Sequence, residues 1–190
     1  MDRLWSPWRA GHVEAFEGDA KAGGQTLFAR LAAENRDEDN LILWRGQHVF
    51  ALLNRYPYTN GHLLLVPYRE VADYDALTAD EQGELFRVLH LAMGWLRRSH
   101  RPDGFNVGMN LGSAAGAGLP DHLHLHVVPR WSGDTNFMPV VGEAKVIPES
   151  LADTYAKLRR ALEADAAPAA VETPSTSPEA RGASSAAGAP

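Results

Sequence analysis

The stretch DHLHLHVVPR, residues 121–130, alternates histidine with leucine or valine in strict period two. A strand turns successive side chains to opposite faces, so the spacing predicts a strand with His122, His124 and His126 on one face and Leu123, Leu125 and Val127 on the other. Neighbouring imidazoles on that face lie roughly 6.5–7 Å apart at the backbone. The apolar face can pack on a helix, which leaves the histidine face to line a cleft.

The rest of the chain supplies partners for such a strand. Residues 25–34 (QTLFARLAAE) place Leu27, Phe28 and Leu31 on one face of a short helix. Residues 40–54 read as two strands, NLILW and HVFALLN, joined by a turn at Arg45-Gly46-Gln47. GHLLLVP is a third short apolar run, ended by Pro67. Thr78 and Glu81 form a T-x-x-E capping box that opens the longest helix, in which Leu85, Leu89, Ala92, Met93 and Leu96 follow helical spacing. FNVGMNL (105–111) and HLHLHVVP (122–129) read as two further strands around the glycine-rich GSAAGAG, and residues 148–164 as a closing amphipathic helix. The sum is an α+β domain: an antiparallel sheet of about five strands with helices packed on one side.

A chain of 190 residues, 45% hydrophobic, suffices for one core. The domain is expected over residues 25–164, with an N-terminal extension at 1–24. Residues 165–190, rich in Ala, Pro, Ser and Gly, bury too little apolar surface to offset their ordering entropy and are expected to be a disordered tail. The absence of cysteine excludes disulfides, thiolate-bound zinc and a thiol nucleophile. No segment has the apolar length of a signal peptide or membrane span, so the expected setting is cytoplasmic, with no membrane partner. A net charge of −6 argues against a sequence-independent grip on nucleic acid. It leaves room for a small anion held by backbone N–H groups and histidines.

Three readings compete for the histidine face. It is an exposed strand that happens to carry imidazoles, or a metal site completed by His62, Asp121 or His48, or a nucleophilic centre. An imidazole attacks well only when one ring nitrogen keeps its proton on an acceptor and the other offers a lone pair. The middle residue, His124, is best placed for this, because the carbonyl of His122 can take the held proton while His126 reaches toward the reacting group. Phosphorus chemistry suits such a nucleophile, and the loop Gly112–Gly118 supports it, since small residues let backbone N–H groups approach phosphate oxygens.

HLHLHVV fits the pattern of the histidine triad (HIT) superfamily of nucleotide hydrolases and transferases, which the chain resembles over roughly residues 25–131. LLNRYPYTNGHLLLVPYR (52–69) is similar to that family's Asn–Arg–x–Pro…Gly–His–x–Leu–x–x–Pro segment, and NVGMNLGSAAGAG (106–118) to its Asn- and Gly-containing stretch before the triad. The resemblance implies a five-stranded antiparallel sheet with helices, usually paired into a homodimer, and a nucleotide as substrate. It implies that His124 attacks an α-phosphorus to form a nucleotidyl-histidine, that His126 bonds the phosphate, and that His122 orients His124 through its carbonyl with its own ring tied to His62. Asn54 would hold the ribose hydroxyls, and Asn110, with Gly116, Ala117 and Gly118, would lie near the phosphates. No cofactor is implied beyond inorganic phosphate as a co-substrate, and no metal. The side-chain donor that many members carry before the triad is replaced here by Ala117-Gly118-Leu119-Pro120-Asp121.

DRLWSPWRAGHVE near the start and HVVPRWSGDTNFMPV after the triad resemble a bacterial branch that includes diadenosine tetraphosphate phosphorylases. Trp5, Trp8 and Arg9, and Trp131 with Asn136–Met138, are candidates to border the nucleotide or a dimer seam. The expected activity is cleavage of an α-phosphate anhydride in a dinucleoside polyphosphate, with water or phosphate as acceptor. The alternatives are a nucleoside phosphoramidate hydrolase and a nucleotide-binding module without turnover.

Overall fold

Val49–Leu53 and Leu63–Pro67 are apolar at consecutive positions, a pattern that demands cover on both faces of the sheet they enter. The computed structural model describes residues 24–134 and 147–166. In it these two segments, β2 and β3, are the inner strands of an antiparallel sheet, and every residue of both is buried. The other strands are β1 (Ile42–Arg45), β4 (Gly104–Met109) and β5 (Leu125–Arg130), and the order across the sheet is β1-β2-β3-β5-β4. The helices are α1 (Leu27–Ala33), α2 (Ala79–His100) and α3 (Leu151–Ala166). The segments 1–23 and 167–190, with Trp5, Trp8, Arg9 and most of the expected tail, lie outside the described residues, as do Asn136–Met138.

The two faces of the sheet carry two cores. Leu43, Val49, Ala51, Leu53, Leu63, Leu65, Leu125 and Val127 pack against α2 and α3 through Leu85, Val88, Ala92, Trp95, Leu96 and Leu158. Each large side chain buried this way contributes about 1.5–3 kcal/mol. On the other face Ile42, Phe50, Leu52, Leu64 and Val66 pack with Phe28 of α1. The expectation of helices on one side is therefore corrected: α1 covers the opposite face, because Phe50, Leu52, Leu64 and Val66 would otherwise meet water. This second face is also the one on which His124 and His126 lie.

Local chemistry fixes the ends of these elements. The Thr78 hydroxyl accepts the Glu81 N–H at 3.3 Å while the Glu81 carboxylate accepts the Thr78 N–H at 2.7 Å, the predicted capping box of α2. The β1–β2 turn falls one residue later than expected, with Arg45 still in β1 and the Gly46 N–H bonded to the Val49 carbonyl. Glu84 of α2 holds this turn by accepting the N–H groups of Gln47, His48 and Val49. An alanine methyl at Gly46 would come within 2.3 Å of the Trp44 ring and 2.8 Å of the Glu84 carboxylate. Gly61, at φ +77°, closes the β2–β3 connection with its Cα so near Leu96 that a methyl would lie 2.8 Å from that side chain.

The histidine strand is shorter than its sequence period. Its ladder starts at Leu125, paired with Leu65 on one side and Met109 on the other, so His122 and His124 stand on an extended lead-in before the paired region. The reason lies in β3, which ends at Pro67. The Pro67 carbonyl is bonded to the His122 ring instead of to a neighbouring strand.

Candidate active site

The register of β5 against β3 decides which side chains meet. Leu64 faces His126, so His62 lies diagonally beside His126 on the same face, whereas His122 falls next to Pro67 at the far end of β3. The expectation that the His122 ring is tied to His62 is thus corrected. His62 Nε2 lies 2.9 Å from Nδ1 of His126. His122 is instead held by the Thr26 hydroxyl, 2.6 Å from Nδ1, and by the Pro67 carbonyl, 2.9 Å from Nε2.

These partners assign the ring protons. The Tyr58 backbone N–H donates to Nδ1 of His62 at 3.1 Å, so a neutral His62 carries its proton on Nε2 and donates it to Nδ1 of His126. The neutral His126 ring then carries its proton on Nε2. Nδ1 of His124 lies 2.9 Å from the carbonyl of His122, which can only accept, so that nitrogen is protonated and Nε2 of His124 has the lone pair. One ring thus offers a lone pair at Nε2 and its neighbour a proton at Nε2, with centroids 4.9 Å apart.

Burial supports the same assignment. His62, His122 and His124 are buried and His126 partly so. Burial holds the His124 imidazole below the ordinary histidine value, against the opposing pull of the His122 carbonyl. His122 is lowered for the same reason, against the bond to Pro67. Both rings are neutral at pH 7, the state that a nucleophile and its support require.

Two cavities flank the pair. One, of about 330 Å³, is lined by Phe28, Leu31, Leu52 and Leu64 together with Asn54 and the charged Arg30, Glu34 and Arg55. The other, of about 590 Å³, runs along β4 and β5 past His126, Gly108, Asn110 and Gly116 to Arg130. His124 lines neither, but its ring packs on Phe28 of the first, at 5.2 Å between centroids, and on His126 of the second. The first cavity suits an apolar ring with a polar rim; the second suits an elongated polar group.

The remaining sequence candidates divide. Asn110 and Gly116 border the larger cavity, whereas Ala117 and Gly118 are not among its lining residues. The glycine loop is also tighter than a flexible cradle. Ser113–Ala115 form a 3-10 turn in which the N–H groups of Ala115 and Gly116 bond the carbonyls of Gly112 and Ser113, so these two donors serve the turn. Asn54 lies at the edge of the smaller cavity but also holds local structure, its amide bonded to Nδ1 of His62 at 3.2 Å and its carbonyl accepting the Tyr56 N–H at 3.0 Å. Among the described residues, no group of three or more His, Asp or Glu is placed to hold a metal ion.

Three contributors escape the sequence reading. Thr26 and the Pro67 carbonyl hold His122, and the Tyr58 ring stacks on His62 at 4.9 Å and 18° and on His126 at 6.1 Å and 29°. Tyr58 sits in the polar RYPYTN connection, where only its adjacency to the Gly–His pair could have pointed to it.

Comparison with known proteins places this geometry. A family model described as the HIT domain matches residues 35–133. The chain is 42% identical over 158 residues to an AP-4-A phosphorylase of Mycobacterium tuberculosis (strain CDC 1551 / Oshkosh), covering 81% of this chain and 80% of that protein. It is 33% identical over 91 residues to a bis(5'-adenosyl)-triphosphatase of Saccharomyces cerevisiae (strain YJM789), covering 47% of this chain and 44% of that one. Among solved structures, a hypothetical histidine triad nucleotide-binding protein from Sulfolobus tokodaii strain7 matches with a TM-score of 0.55 at 25% identity, over 65% of this chain and 84% of that one. A Zn-bound histidine triad family protein from Mycobacterium smegmatis shares the fold, with a TM-score of 0.56 at 24% identity over 83% and 96% of the two chains. The family match over the sheet, together with a relative of 42% identity across most of the chain, makes this protein a member of the histidine triad (HIT) family.

Proposed function

We propose that the protein is an enzyme that cleaves the α-phosphate anhydride of dinucleoside polyphosphates, diadenosine tetraphosphate among them, through a nucleotidyl-histidine intermediate. The observation that carries this reading is the proton assignment: His124 with Nδ1–H on the His122 carbonyl and its lone pair at Nε2, beside a His126 whose Nε2 is the donor. The apolar cavity at Phe28, Leu31, Leu52 and Leu64 takes the base, with Asn54 at the ribose. The leaving nucleotide lies along β4 and β5, past Asn110 and Gly116.

In the first step Nε2 of His124 attacks the α-phosphorus and the bond to the bridging oxygen breaks, while the proton on Nε2 of His126 passes to that oxygen. In the second, an oxygen of the acceptor attacks the phosphorus, His126 takes up the acceptor's proton and His124 leaves. With phosphate as acceptor the products from diadenosine tetraphosphate are ADP and ATP; with water they are AMP and ATP. The similarity to an AP-4-A phosphorylase favours phosphate. No cofactor enters either step.

Two further readings belong to the same proposal. Among the described residues the outer edge of β4 pairs with no strand and carries the exposed Val107, and two copies paired there form a homodimer, which sedimentation would measure. The protein acts in the cytoplasm. Among the described residues no helix is long and apolar enough to cross a membrane.

The test is incubation with diadenosine tetraphosphate, with and without inorganic phosphate, and separation of the products. ADP plus ATP appearing only with phosphate establishes phosphorolysis, and AMP plus ATP without it establishes hydrolysis. If neither tube shows cleavage, the reading fails. His124→Ala separates an enzyme from a binding module, because it should cost on the order of 10³-fold or more in rate while nucleotide affinity survives.

A further inference from the structure

The hydroxyl of Thr26 does two jobs at one point. Its oxygen accepts the Ala29 N–H at 3.4 Å, the N-cap bond of α1, and lies 2.6 Å from Nδ1 of the buried His122. The direction of the second bond is fixed by what lies beyond it. Nε2 of His122 must carry a proton because it faces the Pro67 carbonyl at 2.9 Å, so a neutral ring has a bare Nδ1, and Thr26 donates to it. The backbone of Thr26 is fixed in turn, its N–H bonded to the Glu70 carboxylate at 3.3 Å, three residues beyond Pro67.

His122 is thus gripped from both ring nitrogens, and its carbonyl is the group that sets the tautomer of His124. The same first turn of α1 carries Phe28, whose ring meets His122 edge-on at 5.5 Å and His124 at 5.2 Å and forms one wall of the smaller cavity. One turn of helix therefore holds the cavity wall, the tautomer-setting residue and a face of the nucleophile.

We propose that Thr26 is a positioning residue of the reaction: its hydroxyl locks the His122 ring, and through the His122 carbonyl keeps the proton of His124 on Nδ1, so that seating the nucleoside against Phe28 and aligning the nucleophile are one event. The proposal rests on the reaction proposed above, but its structural half is measurable without turnover. Removing the hydroxyl leaves Nδ1 of the buried His122 without the donor that holds it. The ring loosens, the carbonyl follows it, and His124 populates the other tautomer, with its lone pair turned away from the phosphorus.

The experiment compares Thr26→Val, which keeps the shape and loses the hydroxyl, with Thr26→Ser, which keeps the hydroxyl. The expected result for Thr26→Val is a fall in kcat of about 10–100-fold with a smaller change in KM, since misalignment of the attacking atom acts on the chemical step. Thr26→Ser recovers most of that loss. Nitrogen-15 spectra of the ring nitrogens, taken on protein without substrate, are expected to show protonated Nδ1 and bare Nε2 for His124 in the wild type and in Thr26→Ser, and a mixture in Thr26→Val. Thr26→Gly, which glycine's tolerance at a helix N-cap makes mild for α1 and which offers no hydroxyl, is expected to lose rate as Thr26→Val does, and it serves should the valine variant not fold. Unchanged kcat and unchanged His124 spectra in Thr26→Val overturn the proposal, as does a serine variant as impaired as the valine one. A wild type inactive on dinucleoside polyphosphates but with the expected spectra sinks the substrate reading and leaves the role of Thr26 in setting the tautomer standing.

Discussion

His62 donates its Nε2 proton to Nδ1 of His126 across 2.9 Å, and it does so because the Tyr58 backbone N–H occupies its other nitrogen at 3.1 Å. A residue outside the HxHxH stretch therefore sets which nitrogen of His126 carries its proton. His62 is fully buried, with the Tyr58 ring stacked on it, so the relay has little freedom to reverse.

Replacing His62 by phenylalanine keeps the stack on Tyr58 and removes the donor. Without the His62 donor at its Nδ1, His126 no longer presents a fixed Nε2 proton to the leaving oxygen. The expected loss is about 10²-fold in kcat on diadenosine tetraphosphate. On a nucleotidyl ester with a nitrophenolate leaving group, which departs without a proton, the loss should be much smaller. Equal losses on both substrates would show that His62 does not act through the proton of His126.

The pH dependence follows from burial. His124 and His122 are held below the ordinary histidine value of 6.5, so the acid limb of kcat/KM should lie below pH 6.5. The same shift bears on stability. Between the lowered folded values and 6.5 the unfolded chain binds more protons than the folded one, so stability is full above 6.5, falls as the pH drops through it and levels off once the folded rings are protonated. Half-buried His100, lowered chiefly by desolvation, adds a contribution of the same sign. Glu81, held at about 2 chiefly by its bond to Arg69, acts lower: its contribution is present above 4.5 and is lost as the pH falls toward 2. Urea unfolding at several pH values should show two separate declines, one per window.

Gly108 stands opposite His126 in the β4–β5 ladder, and a methyl group there would meet no heavy atom within 4 Å. The side chain of a Gly108→Leu variant would project into the larger cavity. On the proposed placement of the leaving nucleotide, kcat/KM for diadenosine tetraphosphate should drop by about 10-fold or more, the effect of filling space a ligand uses. A nucleoside phosphoramidate, whose leaving group is small, should be little affected. If both substrates suffer equally, the leaving nucleotide does not lie along β4.

Glu84 is a structural clamp on the β1–β2 turn, bonded to the N–H groups of Gln47, His48 and Val49. Burial raises its carboxyl, but the N–H bonds from His48, Gln47 and Val49 outweigh that and hold it ionised below the ordinary value of 4.5. Glu84→Leu leaves those donors without a carboxylate and should cost roughly 3 kcal/mol, with a fall in Tm on the order of 10 °C. Gly46→Ala, which crowds the same turn, should destabilise in the same direction. In both variants kcat at low temperature should be unchanged, and a large loss of kcat would mean that the hairpin reaches the site.

Much of the architecture was readable before any coordinates because it depends on local periods. The alternation of residues 121–130 determined that the odd positions face a helical core and that His124 and His126 share the other face. The capping box at Thr78 and Glu81 set the start of α2, and the neighbouring carbonyl two residues back made His124 the nucleophile of choice. What the periods could not carry was pairing between distant segments. His62 meets His126 across a separation of 64 residues, and Thr26 meets His122 across 96. Only the register of β3 on β5, with Leu64 opposite His126, decides that His62 serves His126 and that His122 falls to Pro67 and Thr26. The side on which α1 packs was hidden for the same reason, since its apolar stripe fits either face of the sheet. Consecutive apolar residues in β2 and β3 demand cover on the second face, and burial of Phe28 there placed its ring against His124.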